Sequence, residues 1–133
     1  VAEVDGVRYV DDSKATTPHA TLTAMSALPG AVLIVGGRNK GLDLERLADG
    51  RPRAVVAIGE AAESMAAAFE GACPVVIASS MEEAVRSARD SAAGTGTVLL
   101  SPGCSSFDWY GSYAERGRDF QRIVRALAGG GGA

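Results

Sequence analysis

Three short runs of this 133-residue chain hold the side chains best suited to chemistry: DDSKATT at 11–17, GGRNKGLD at 36–43 and SPGCSSFDWY at 101–110. Lys14 and Lys40 supply ammonium groups, and Thr16, Ser101, Ser105 and Ser106 supply hydroxyls. A carboxylate held by a lysine and one or two hydroxyls gains about 1.5–3 kcal/mol per charged hydrogen bond. Serine hydroxyls beside exposed helix amides also suit a carboxylate or a phosphate. Brought together, the three runs would receive a small acidic molecule, and two carboxylates held this way would suit a dicarboxylic amino acid.

Each run also has a plain structural reading. DDSKATT can be a turn and helix cap. GGRNKGLD can be a glycine-rich loop with a solvated lysine, since it matches neither the G-x-x-x-x-G-K-[ST] phosphate loop nor G-x-G-x-x-G. The serines after 100 can cap a helix, and Phe107, Trp109, Tyr110 and Tyr113 can cover the end of a sheet. Cys104 has no base oriented towards it: the one histidine, His19, falls in the first turn of a helix, so Cys104 reads as a buried, inert thiol. Cys73 and Cys104 lie in separate segments without metal-like spacing, which favours two free thiols in a reducing compartment. No ligand set for a metal is expected.

The elements that must position these runs follow from local pattern. AVLIV (31–35), AVVAI (54–58), VVIA (75–78) and TVLL (97–100) are continuous apolar runs rich in β-branched residues, suited to strands covered on both faces of a parallel sheet. Between them lie helical stripes: Leu22, Met25 and Leu28; Ala62, Met65, Ala66 and Phe69; Met81, Ala84, Val85 and Ala88. Thr17-Pro18 reads as a helix start and Pro29-Gly30 as its stop. Ser80 with Glu83 is a capping-box signature. A last helix turns Phe120, Ile123, Val124 and Leu127 inward and Arg118, Arg122 and Arg125 outward, with Arg116 set apart because it lies nearest the serine loop. At the start of the chain, Asp5-Gly6 between two strand-like runs predicts a two-residue hairpin. The expected fold is therefore α/β: a Rossmann-like, mainly parallel sheet flanked by helices, with an N-terminal β-hairpin. In such sheets ligands sit past the carboxyl ends of strands, which points to GGRNKGLD after 31–35, GEAAE after 54–58 and SPGCSSFD after 97–100.

Composition sets outer bounds. With 47% hydrophobic and 22% charged residues and a net charge of −3, the chain is an ordinary globular domain without the basic stripe of a nucleic-acid binder. No apolar run approaches the roughly 18 residues of a membrane span, and no signal peptide is visible, so a cytoplasmic home is expected. Residues 1–128 are expected to form one domain and 129–133 a flexible glycine-rich tail. The abrupt start at Val1, in strand-like sequence, suggests a piece of something longer.

Taken in order, the three runs resemble the C-terminal domain of the Mur ligase family, and within it the members that add D-glutamate. DDSKAT is similar to their N-D-S-K-A-T, with Asp11 in place of asparagine. GGRNKG resembles their G-G-x-x-K-G, and SPGCSSFDWYGSYAERGRDF resembles S-P-A-C-A-S-F-D-x-F-x-x-F-x-x-R-G-x-x-F, with Gly103 and Ser105 in place of alanines. The resemblance implies an ATP-dependent amide ligation, in which a carboxylate of UDP-N-acetylmuramoyl-L-alanine is phosphorylated and the amine of D-glutamate attacks the acyl phosphate. It further implies that Thr16 and Lys40 bind one glutamate carboxylate, and that Ser106 with the backbone around Phe107 and Tyr113 takes the other. Asp12 and Lys14 would face the nucleotide, Lys14 as a catalytic group near the transferred phosphoryl, with Ser13 and Arg116 behind them. ATP and Mg²⁺ would be held mainly by a central domain that this chain lacks, and the chain alone would be inactive. Two other readings stay open: another amide ligase of the superfamily, including a folylpolyglutamate synthase-like one, and a free-standing α/β anion-binding module.

Overall fold

In the computed structural model, residues 2–4, 6–15, 17–37, 45–92, 96–103 and 112–130 are described. The apolar runs become strands at nearly the expected bounds: β1 Ala2–Val4, β2 Val7–Asp11, β3 Val32–Gly36, β4 Ala54–Ile58, β5 Val75–Ile77 and β6 Thr97–Leu100. They form one sheet in the order β1-β2-β6-β3-β4-β5, parallel except for the β1–β2 hairpin. In that hairpin Val4 faces Val7, which leaves a two-residue turn, and Gly6 takes φ +84° as such a turn requires.

Helices α1 Pro18–Ala27, α2 Ala62–Ala68, α3 Met81–Ala92 and α4 Tyr113–Gly130 cover the sheet. The strand period of two divides the central strands between the two faces. Ile34, Val56, Ile58, Val98 and Leu100 pack with Met81, Ala84 and Val85 of α3 and with Phe120, Ile123 and Val124 of α4. Leu33, Val35, Val55, Ala57 and Leu99 pack with Met25 of α1 and with Met65 and Phe69 at α2. Burial on both faces explains why these strands show no polar alternation.

The helix ends follow local chemistry. Thr17 caps α1, its hydroxyl accepting from the Ala20 amide at 3.3 Å, with Pro18 where no amide donor is needed. Ser80 accepts from the Glu83 amide at 3.1 Å, while the Glu83 carboxylate turns to the Ser79 hydroxyl at 3.0 Å. Ser112 begins α4 by accepting from the Glu115 amide at 3.1 Å. α4 runs through Gly130, across the start of the glycine-rich stretch, and 131–133 lie outside the described residues. Among the described residues no helix is long and apolar enough to cross a membrane.

One expectation is corrected. VVIA was expected to be covered on both faces, but β5 is the last strand of the sheet, with Val76 44% and Ile77 50% exposed. A short β-branched run specifies a strand; its place in the sheet is decided by the crossovers around it.

Candidate functional site

Register brings the carboxyl ends of the parallel strands to one rim. Asp11 pairs with Leu100, Leu100 with Ile34, and Gly36 with Ile58. The loops leaving these strands are then bonded to one another. The Gly103 amide donates to the Ala15 carbonyl at 2.7 Å, and the Gly36 amide to the Pro102 carbonyl at 2.9 Å. Gly37 donates to the Ile58 carbonyl and accepts from the Ala61 amide, at 3.1 and 2.8 Å. A glycine is required at 36: its φ is +128°, and a side chain there would overlap the Ile58 carbonyl oxygen.

A buried hydroxyl network lies beneath this backbone stitching. Ser101, fully buried, donates from Oγ to Asp12 Oδ2 at 3.1 Å. Thr21, reaching down from α1, donates to the Ser101 carbonyl at 3.0 Å. The Asp12 amide is tied to the Leu100 carbonyl at 2.7 Å, and the Asp12 carbonyl accepts from Ala15 at 2.9 Å. Asp12 is therefore held in place, half-buried, while Lys14 beside it is exposed. Ser101 does not cap α4; it fastens the 101–103 loop to the DDSK turn. Thr21 was missed by the sequence reading, although a hydroxyl one turn before Met25 on the inward side of α1 was the available signal.

The turn meets α4 on its other flank. Asp11 accepts from the Ser13 amide at 3.0 Å and from Gln121 Nε2 at 2.6 Å. Arg116, 1% exposed, donates from Nε to Ser13 Oγ and from Nη2 to the Ser13 carbonyl, both at 3.0 Å. The other arginines of this helix are exposed, and Arg122 pairs with Asp119 at 2.7 Å. A cavity of about 490 Å³ opens between turn and helix, lined by Asp12, Lys14, Gly117 and Arg118 among others. A second of about 490 Å³ lies between the turn and α1, lined by Val10, Ala20, Ala24 and Leu99. Lys14 borders both.

Thr16, Lys40, Ser106 and Phe107 lie outside the described residues, as does Cys104. The nearest described residues along the chain are Ala15 and Thr17 for Thr16, Gly37 and Glu45 for Lys40, and Gly103 and Ser112 for Ser106 and Phe107. Tyr113 opens α4, and His19 is exposed in α1, in its first turn as expected. Cys73 is a half-buried free thiol, and its burial raises the thiol pKa above the usual range. Among the described residues no three His, Cys, Asp or Glu side chains gather closely enough to share a metal ion.

The family model described as "Mur ligase, glutamate ligase domain" matches residues 1–104. The chain is 47% identical over 135 positions to the UDP-N-acetylmuramoylalanine--D-glutamate ligase of Syntrophotalea carbinolica, covering 98% of this chain and 30% of that protein. It is 48% identical over 131 positions to the ligase of the same name from Chlorobium limicola, covering 96% of this chain and 28% of that protein. For the one from Methylococcus capsulatus the identity is 46% over 132 positions, covering 96% and 29%. The chain thus spans under a third of the length of these relatives. A glutamate-ligase-domain match over most of the chain, with near-complete alignment to such ligases, shows that the chain belongs to the Mur ligase family.

Proposed function

We propose that the chain is the amino-acid-binding part of an ATP-dependent ligase that joins D-glutamate to UDP-N-acetylmuramoyl-L-alanine in peptidoglycan precursor synthesis, in the cytoplasm. One observation carries this reading: the loops leaving β2, β3 and β6 are hydrogen-bonded together at one rim, through Gly103–Ala15 and Gly36–Pro102. That stitching favours a shared pocket for Thr16, Lys40 and Ser106, which stand one, four and three residues along the chain from those bonds.

In this reading Thr16 and Lys40 take one carboxylate of D-glutamate. Ser106, with the backbone near Phe107 and Tyr113, takes the other. Holding both acids fixes the amine for attack on the activated alanyl carboxylate, and positioning of this kind supplies much of the rate in such transfers. Lys14 faces the nucleotide with its ammonium, where it offsets charge on the transferred phosphoryl group. Asp12, held by Ser101, faces the same way. ATP supplies the phosphoryl group; it and Mg²⁺ are held mainly by the central domain of the longer ligase.

The test is a coupled phosphate-release assay on the full-length protein. Release should fall to background when either D-glutamate or the UDP-sugar is omitted. Turnover with L-lysine or meso-diaminopimelate but not with D-glutamate overturns the substrate assignment. Residues 1–133 alone should neither hydrolyse ATP nor form the amide; turnover by them near the full ligase's rate overturns the division of labour.

A further inference from the structure

We propose that Arg116 is a positioning residue: it fastens the Asp12–Lys14 turn to α4, so that the first turns of α4 and the lysine facing the nucleotide move as one unit. This rests on the ligase reading above.

The guanidinium holds Ser13 at two points, hydroxyl and carbonyl, both at 3.0 Å. Two bonds from a planar fork fix a peptide's direction as well as its distance. Ser13 stands between Asp12 and Lys14, so fixing its peptide fixes how both neighbours leave the turn. α4 grips the turn again through Gln121 and Asp11 at 2.6 Å, more than a helical turn further on. Gly117 permits this closeness, since a Cβ there would lie 2.7 Å from Asp11 Oδ2 and 3.2 Å from Ser13 Cβ. At its start α4 follows directly from the segment that holds Ser106 and Phe107, and Arg116 lies one turn into the helix.

Stability alone is a poor reason for this arrangement. A buried charge is costly to desolvate, and apolar packing of similar volume often stabilises as well or better. What a buried fork supplies is a defined geometry for the peptide it holds.

The test uses the full-length ligase with Arg116→Lys, which keeps the charge but loses the fork, and Ser13→Ala, which removes one acceptor. Each should lower kcat about tenfold or more while KM for D-glutamate moves less than about threefold. Arg116→Lys should keep a cooperative melt. The double variant should lose no more rate than the worse single one, because the two act through one contact. A loss that tracks the folded fraction, multiplies in the double variant, or appears in KM for D-glutamate instead of kcat overturns the proposal. If the wild-type protein does not use D-glutamate, the ligase reading fails by itself. Hydrogen–deuterium exchange then decides the positioning claim: amides in 11–15 should exchange about tenfold or more faster in Arg116→Lys. Unchanged exchange overturns it.

Discussion

Ser101 Oγ donates to Asp12 Oδ2 at 3.1 Å, joining the first residue after β6 to the first residue after β2. Both sit at the rim where the loops meet, and the serine is fully buried. Ser101→Ala would leave a half-buried carboxylate oxygen short of a donor and remove the hydroxyl lying 3.4 Å from Thr21 Oγ1. Loss of a buried hydrogen bond to a charged group costs about 1.5–3 kcal/mol. The unfolding free energy from urea titration should fall by that much, through a lower midpoint at unchanged slope. A shift under about 0.5 kcal/mol, the range of ordinary surface changes, would mean that Asp12 needs no such tether.

Gly36 is the backbone counterpart of that contact. Its φ of +128° disfavours any L side chain, and a Cβ would overlap the Ile58 carbonyl oxygen, which itself accepts from Gly37. The obstacle is buried, hydrogen-bonded backbone at the end of β4 and cannot step aside. Gly36→Ala should cost more than about 4 kcal/mol, in the exceptional range for one substitution, and leave little soluble protein. A variant melting within a few degrees of the wild type would contradict the close β3–β4 approach.

Gly117 tests the approach of α4 to the turn. Alanine gains about 1 kcal/mol of helix propensity over glycine, but here its Cβ would press on the Asp11 carboxylate at 2.7 Å. That carboxylate is held by Ser13 and Gln121, so moving it breaks two bonds. Gly117→Ala should therefore destabilise the wild type and cost clearly less in an Asp11→Ala background. A double-mutant cycle reads the difference, expected at about 1 kcal/mol or more; simple additivity would show that Asp11 is not the obstacle.

How much of this was legible in the sequence depends on how local the cause is. The Thr17 cap, the hairpin at Gly6 and the buried strands are written in neighbouring residues, and they appear where expected. The edge position of β5 was not legible, because strand order depends on crossovers rather than on Val75–Ile77. Thr21 and Ser101 meet across 80 positions, and a single hydroxyl on an apolar face gives little warning of a partner that far away. The close approach at Gly117, a glycine inside a charged helix, was not read from the sequence and becomes visible only once Asp11 is seen beside it. Arg116 could be set apart by its nearness to the serine loop, but its hold on Ser13 belongs to tertiary structure. Of the residues proposed to bind glutamate, Thr16, Lys40, Ser106 and Phe107 lie outside the described residues, while the described flanks of their loops meet at one rim.

The two ends of the hydrophobic scale make a paired prediction. Phe120 is 1% exposed in the α3–α4 layer, whereas Val76 on β5 is 44% exposed. Phe120→Ala should cost about 3–5 kcal/mol through lost transfer energy and the cavity left behind. Val76→Thr should stay within about 0.5 kcal/mol, as surface changes do. Equal costs in a denaturation series would mean that β5 is covered in solution.

Lys40 offers the sharpest test of the substrate site. If its ammonium holds one D-glutamate carboxylate, Lys40→Ala in the full-length ligase removes a charged hydrogen bond of about 1.5–3 kcal/mol, which is roughly a 10- to 150-fold rise in KM for D-glutamate. The nucleotide lies on the Asp12–Lys14 side in this reading, so KM for ATP should move little. Lys14→Ala should give the opposite pattern, with kcat lost and the D-glutamate KM nearly kept. An unchanged KM for D-glutamate in Lys40→Ala would remove Lys40 from the pocket. The same phenotype in both variants would mean that the two lysines serve one ligand group, and that the division of the rim into an amino-acid side and a nucleotide side is wrong.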